Sequence, residues 1–203
     1  MDTAATRGTL HLDCHPNKVG DAFVFAYRAA NQSSVALFVM DAMPSVDPGT
    51  HAVSADPNAA VVILRPDGVV MLGKFIAPLP QDRVLLAPDL PLCVRLEPGQ
   101  SIERELRVPL PFAETSPYFP ELRLRDYALA EVAGVAFAIG FFPADTRGLY
   151  AAPAAYAPEY LVLAPTVAPV VAGLAWQRLP VKRLEILRRK DDFPREIRSH
   201  EGL

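Results

Sequence analysis

The chain has 203 residues, of which 51% are apolar, and a formal charge of −3. That length suits one large domain, the apolar share is enough to bury a core, and the charge gives no overall attraction to nucleic acid or anionic membrane. Proline numbers 21, about twice its usual share of roughly 5%, and only 17–43 and 121–142 run past twenty residues without it. A proline removes a helical donor and clashes with the preceding turn, so long helices have few places to form here.

The first predicted strand is 9–14. Leu10, Leu12 and Cys14 alternate with Thr9, His11 and Asp13, and Pro16 is expected to end it. The next is 22–29, with Phe23, Phe25 and Tyr27 on one face and Asn31-Gln-Ser-Ser34 as its turn. Residues 35–43 are apolar on both faces, which predicts a central strand. The stretch 44–59 is rich in Pro, Asp, Ser and Gly and reads as an excursion outside the sheet.

Residues 61–64 and 69–72 flank Arg65-Pro-Asp-Gly68, the strongest hairpin signal in the chain. Short strands are expected at 84–86 and 92–96, followed by a Pro98-Gly99 turn. After it, Ile102, Arg104, Leu106 and Val108 alternate with Glu103, Glu105 and Arg107, which predicts a strand with one charged face that discourages edge pairing.

Residues 122–132 are the best candidate for a helix, a short one. Val135, Phe137, Ile139 and Phe141 then alternate with Gly134, Ala136, Ala138 and Gly140. Close packing inside a sheet explains the small face best, although such a face also admits a ligand or a partner's backbone. Residues 151–158 read as an Ala/Pro loop, 160–163 and 173–179 as closing strands, and 181–187 as a further strand or short helix. One domain is expected over 1–190, with a polar tail over 191–203.

Chemistry is sparsely signalled. Two cysteines, Cys14 and Cys93, cannot build a disulfide framework and sit among apolar neighbours, so buried free thiols are expected, or a single bridge in an oxidising compartment. Residues 1–12 carry Asp2 and Arg7 and lack an apolar leader core. No stretch has the length and polarity of a membrane span. The plain reading is a soluble cytoplasmic protein, although an exported protein without its leader would read the same.

His11-Leu-Asp-Cys-His15 is the sharpest local pattern. In a strand His11, Asp13 and His15 share a face, successive members about 7 Å apart, so two neighbours can chelate one divalent ion, while three spanning about 13 Å cannot without a bend. The polar outer face of an amphipathic strand explains the same residues. Cys14 and His15 project to opposite faces, which argues against a cysteine nucleophile with that base.

No nucleophile elbow, phosphate-binding loop, dinucleotide fingerprint, zinc-protease motif or Cys-x-x-Cys occurs, and nothing calls for a cofactor. Asp41, Asp47 and Asp56 border the 44–59 excursion without the spacing of a calcium loop. From Arg178 onward there are eight Lys and Arg against five Asp and Glu, with Lys182, Arg183, Arg188, Arg189 and Lys190 the densest part. Acidic residues interrupt this strip and no aromatics alternate with it, so a solvated face is expected in place of a nucleic-acid surface.

Two segments carry a family likeness. The aromatic strand ending in Tyr27-Arg-Ala-Ala-Asn-Gln-Ser33, and Pro98-Gly-Gln-Ser101 opening an alternating strand, resemble bacterial immunoglobulin-like modules, and also the intracellular proteinase inhibitors of bacilli. The resemblance covers 20–43 and 95–108 only. It implies an all-β, immunoglobulin-like antiparallel β-sandwich, here with long Pro-rich loops and one short helix.

It also implies a non-catalytic protein-binding or assembly module. The expected contacts are loops 44–57, 112–120 and 151–158, with Phe112, Tyr118, Phe119 and Tyr156 as binding residues and Met43 at a border. The partner expected is another protein, not nucleic acid. A metal-binding protein or metal-dependent enzyme built on His11, Asp13 and His15, and a protease-inhibitor-like module, are the alternatives.

Overall fold

Alternating side chains sort themselves into fifteen strands in the computed structural model, which describes residues 9–80, 90–165, 172–181 and 184–196. In chain order these are β1 (Leu10–Val19), β2 (Ala22–Asn31), β3 (Leu37–Val46), β4 (Val53–Asp56), β5 (Val61–Leu64), β6 (Val69–Lys74), β7 (Leu92–Leu96) and β8 (Ser101–Pro109). They continue with β9 (Phe112–Ala113), β10 (Tyr127–Glu131), β11 (Gly134–Pro143), β12 (Leu149–Ala154), β13 (Ala157–Pro165), β14 (Gly173–Leu179) and β15 (Glu185–Arg189). No described helix is long and apolar enough to cross a membrane.

A nine-stranded sheet runs β12-β13-β7-β3-β11-β6-β5, with β14 beside β11 and β4 beside β3. Two three-stranded sheets, β1-β2-β8 and β10-β15-β9, pack on one of its faces. The shared core joins Leu12, Phe25, Tyr27 and Leu106 of the first small sheet and Phe112 and Ile186 of the second. Against them lie Leu37, Val39, Val70, Leu72, Phe137 and Ile139 of the large sheet. Phe25 stacks on Phe137 with ring centroids 5.8 Å apart. The other face of the large sheet carries a second cluster, with Val61, Ile63, Met71, Ala136 and Ala138 under Tyr118 and Phe193.

The molecule is therefore an all-β, sandwich-like arrangement. Most pairings are antiparallel, but β6 runs parallel to β11 and β9 parallel to β15.

The alternating segments fold as their patterns predict. β3 lies between β7 and β11, and its residues 37–43 are all buried. Arg65-Pro-Asp-Gly68 closes the β5–β6 hairpin, with Gly68 at φ 77° and Arg65 N donating to Val69 O at 3.0 Å. The small face of β11 is packed. A Cβ on Gly140 would lie 2.4 Å from Met40 Sδ, and one on Gly134 would lie 3.1 Å from an Arg178 nitrogen.

Several expectations need correction. Pro16 does not end β1, which continues to Val19. β1 is an outer strand, where a missing donor costs no ladder bond, and Pro16 pairs opposite Phe25. The 44–59 excursion is largely sheet, because β3 extends to Val46 and pairs with β4 in a projecting hairpin. The expected helix over 122–132 is a single 3-10 turn, Leu124–Asp126, followed by β10. Apolar spacing there fits either element, and pairing with β15, Leu129 opposite Leu187, outweighs the weak preference of so short a helix.

Residues 151–158 are the β12–β13 hairpin. Of the 181–187 alternatives, a strand forms, as β15. The tail does not begin at 191, since Phe193 is only 4% exposed and meets Phe119 at 5.2 Å between centroids. The expected strand over 84–86 lies outside the described residues.

Candidate functional site

The alternation of β1 turns Leu10, Leu12 and Cys14 into the core and His11, Asp13 and His15 outward, all three exposed. His15 Nε2 lies 3.3 Å from Asp13 Oδ2. His11 makes no hydrogen bond with either. His15 lines one open depression of about 570 Å³ and His11 a second of about 530 Å³, with Asp13 and Arg28 bordering both. Among the described residues, no group of three or more His, Cys, Asp and Glu is assembled around one point. Asp41, Asp47 and Asp56 do not gather either. Asp47 caps its own turn, accepting from Gly49 N, Thr50 N and Thr50 Oγ1, and these donors lower its pKa. Asp56 accepts from Asn58 N and Ala59 N.

The aromatic residues expected to contact a partner are mostly inside. Phe112 is fully buried against Phe23 and Phe25, and Tyr118 is 8% exposed in the second cluster. Phe119 is half-buried between Phe193 and the Arg189 guanidinium. These three serve the folding of their own segment, which wraps around the outer edge of β5. Thr115 exchanges backbone bonds with Val62 there. Tyr156 alone of the four is exposed, at 39%. Met43 is buried.

The basic strip is also divided. Arg189 is buried and makes a two-pronged contact with Asp191, at 3.0 and 2.7 Å, while Lys190 donates to Arg125 O. Lys182 and Arg183 lie outside the described residues.

Sequence reasoning missed a polar cluster between the sheets. Asp41 of β3 and Lys74 of β6 are both fully buried. Lys74 Nζ donates to the Asp41 carbonyl oxygen and, at 3.4 Å, to Tyr27 Oη. It stands 3.9 Å from Asp41 Oδ1. Arg104 Nε of β8 donates to Asp41 Oδ2 at 3.0 Å, and Tyr27 Oη to Oδ1 at 3.5 Å. Burial pushes the Lys74 ammonium down to about 8, against the pull of Asp41. Burial, and then Asp41, push the Tyr27 phenol up.

Tyr27 and Arg104 form the inner wall of the Asp13–His15 depression, and the Arg104 side chain is 40% exposed. Lys74 itself reaches no solvent. All buried side-chain nitrogen and oxygen atoms among the described residues have a partner. The cluster's evident effect is to tie β3 and β6 of the large sheet to β2 and β8 of the covering sheet. The available signal was a lone Asp inside an apolar run, and a Lys directly following Val69-Val-Met-Leu-Gly73. A charge so placed needs a buried partner.

No family model, curated protein or solved structure matches this chain.

Proposed function

We propose that this chain is a non-catalytic module that binds or assembles with another protein, and that its sandwich is immunoglobulin-like. The observation that carries the binding reading is Trp176. It stands in mid-strand on β14, opposite Ala138, yet is 57% exposed. A residue two away in a strand shares its face, so Leu174 and Arg178 flank it there. Tryptophan and arginine are enriched among the residues that dominate protein interfaces. A large ring held on a regular strand also loses little conformational entropy on binding.

The immunoglobulin-like reading is supported by the meeting of the two segments that suggested it. Asn31 N donates to Gln100 O, and Gly99 N to Asn31 O, both at 2.9 Å, so the Asn31–Ser33 and Pro98–Ser101 turns form one node.

The test is affinity capture from the native host with the unaltered chain, Trp176→Ala and Tyr156→Ala. The expected result is a saturable protein partner that Trp176→Ala loses while its melting temperature is unchanged. Identical capture by all three chains would reject the β14 face as the contact.

A further inference from the structure

We propose that the chain self-associates through the outer edge of β12, two copies pairing antiparallel about a two-fold axis at Ala151.

β12 ends the nine-stranded sheet, and no described strand lies beyond it. An uncovered strand edge offers its N–H and C=O groups to another strand, and natural edges are blocked by charge, proline or a covering segment. β8 carries Glu103, Glu105 and Arg107, β1 carries Pro16 and Lys18, and β5 is covered by Thr115. β12 and its turn, residues 149–158, contain no charged side chain. One face of the β12–β13 hairpin packs inward, with Leu149 and Ala151 against the cluster of Phe38 and Phe142. On the other face Tyr150 is 61% exposed, and Val162, opposite Ala152, is 40% exposed.

Pro153 is the one block on this edge. Having no N–H, it fits the β12–β13 ladder where that group would point away from β13. Ala151, two residues earlier in the same register, has the same orientation and turns its own N–H and C=O outward. A two-fold axis at Ala151 lets two copies exchange both of these bonds. It also sets Pro153 opposite Leu149, at the end of the short ladder, where a missing donor costs least.

Charge selects a second copy in this orientation. Arg147 is the charge nearest the start of β12, and Glu159 is the nearest beyond its turn. Both are exposed, and neither has an ion pair among the described residues. Antiparallel pairing brings the Arg147 end of each copy beside the turn end of the other, with Glu159 one strand spacing of about 4.8 Å further in. Opposite charges are thereby matched twice across the axis, whereas parallel pairing sets like against like. A two-fold contact closes on itself and stops at a dimer. Strands of six residues make a contact at the small end of protein interfaces, so the dimer is weak and concentration-dependent. β14 lies beside β11, inside this sheet order, so the edge is separate from the Trp176 face.

Sedimentation equilibrium of the full chain, over a concentration series reaching several hundred micromolar, tests the contact. A reversible monomer–dimer equilibrium is expected. Tyr150→Lys places two ammonium groups diagonally across the axis and should weaken the dimer by about tenfold or more. Its melting curve, taken where the parent is monomeric, should overlay that of the parent, since the ring is largely exposed. Arg147→Glu and Glu159→Arg should each weaken the dimer, and the double reversal should restore it. Monomer throughout the series overturns the proposal. So does a dimer that Tyr150→Lys leaves intact, one that Trp176→Ala abolishes, or a double reversal no tighter than its single reversals.

Discussion

Arg195 grips the fully buried carboxylate of Glu114 with two nitrogens, Nε to Oε1 at 2.9 Å and Nη2 to Oε2 at 2.7 Å. The same carboxylate accepts from Leu64 N of β5 and Arg189 N of β15. One acidic side chain thus joins an edge of the large sheet, the smaller covering sheet and the C-terminal segment. A buried charge stripped of its partner is strongly unfavourable, so Arg195→Ala should cost about 3–5 kcal/mol in urea unfolding. Adding Glu114→Gln to Arg195→Ala removes the stranded charge. The double variant should be more stable than Arg195→Ala alone. The opposite order would show that Glu114 is not held as an anion.

What could be read from the sequence was local. Alternation placed Leu12, Phe25, Tyr27 and Leu106 in the core, and Arg65-Pro-Asp-Gly68 carried its turn in its own chemistry. Asn31 and Pro98-Gly99 were recognised separately, and the fold brings them together. Contacts between distant residues were not legible. Glu114 and Arg195 are 81 positions apart, and Asp41 and Lys74 are 33 apart. Pairing of charges across sheets depends on which strands become neighbours, and periodicity does not encode that. Phe112 and Tyr118 misled for a related reason. Loop aromatics look exposed until the edge strand they wrap, β5, is known. Trp176 was overlooked because a Trp in a strand pattern reads as core.

Asn31 provides the second prediction. Its side-chain nitrogen donates to Val35 O at 2.8 Å and to Leu96 O at 3.0 Å, while its Oδ1 accepts from Ser33 N and Oγ. The residue is 1% exposed. Asn31→Asp keeps the shape but removes both donations and sets a carboxylate against two carbonyls. It should cost at least about 2 kcal/mol. Ser33→Ala, which deletes only a partly exposed hydroxyl, should cost less. Equal losses in the two variants would contradict a bridging role for the Asn31 amide.

Two glycines in neighbouring strands should respond differently to alanine. Gly73 has φ 146°, and a Cβ there would fall 1.9 Å from the Ala138 carbonyl oxygen of the facing strand. Backbone cannot yield without breaking the β6–β11 ladder, so Gly73→Ala should cost more than about 4 kcal/mol, the range of exceptional substitutions. Gly140 has the same need for space, but its nearest obstacle is the flexible Met40 side chain at 2.4 Å, with the Phe75 Cα farther off at 3.3 Å. Gly140→Ala should therefore be milder, and Gly140→Ala with Met40→Leu milder still. Soluble yield and urea midpoints of the three proteins provide the comparison.

The buried titratable groups set an alkaline limit on stability. Burial and then Asp13 push the Cys14 thiol up to about 12, and burial holds the Cys93 thiol up as well. Above the ordinary thiol value of 9.0, an unfolded chain releases these protons while the folded chain keeps them, so stability falls as pH rises. Lys74 acts in the opposite sense. Its folded value is about 8 and its ordinary value 10.5, so between these the unfolded chain holds more protons and stability rises with pH. One lysine prevails from pH 8 to about 9, and two thiols prevail above it. Tyr27, whose phenol is pushed up from 10.0, steepens the fall beyond pH 10. Urea midpoints measured from pH 7 to 10.5 under reducing conditions should therefore peak near pH 9. In Lys74→Met the rise above pH 8 should vanish. In Cys14→Ala/Cys93→Ala the maximum should move toward pH 10, whatever the lower baseline of that variant. Superimposable pH profiles for the parent and the cysteine-free chain would refute the assignment of the alkaline limb to buried thiols.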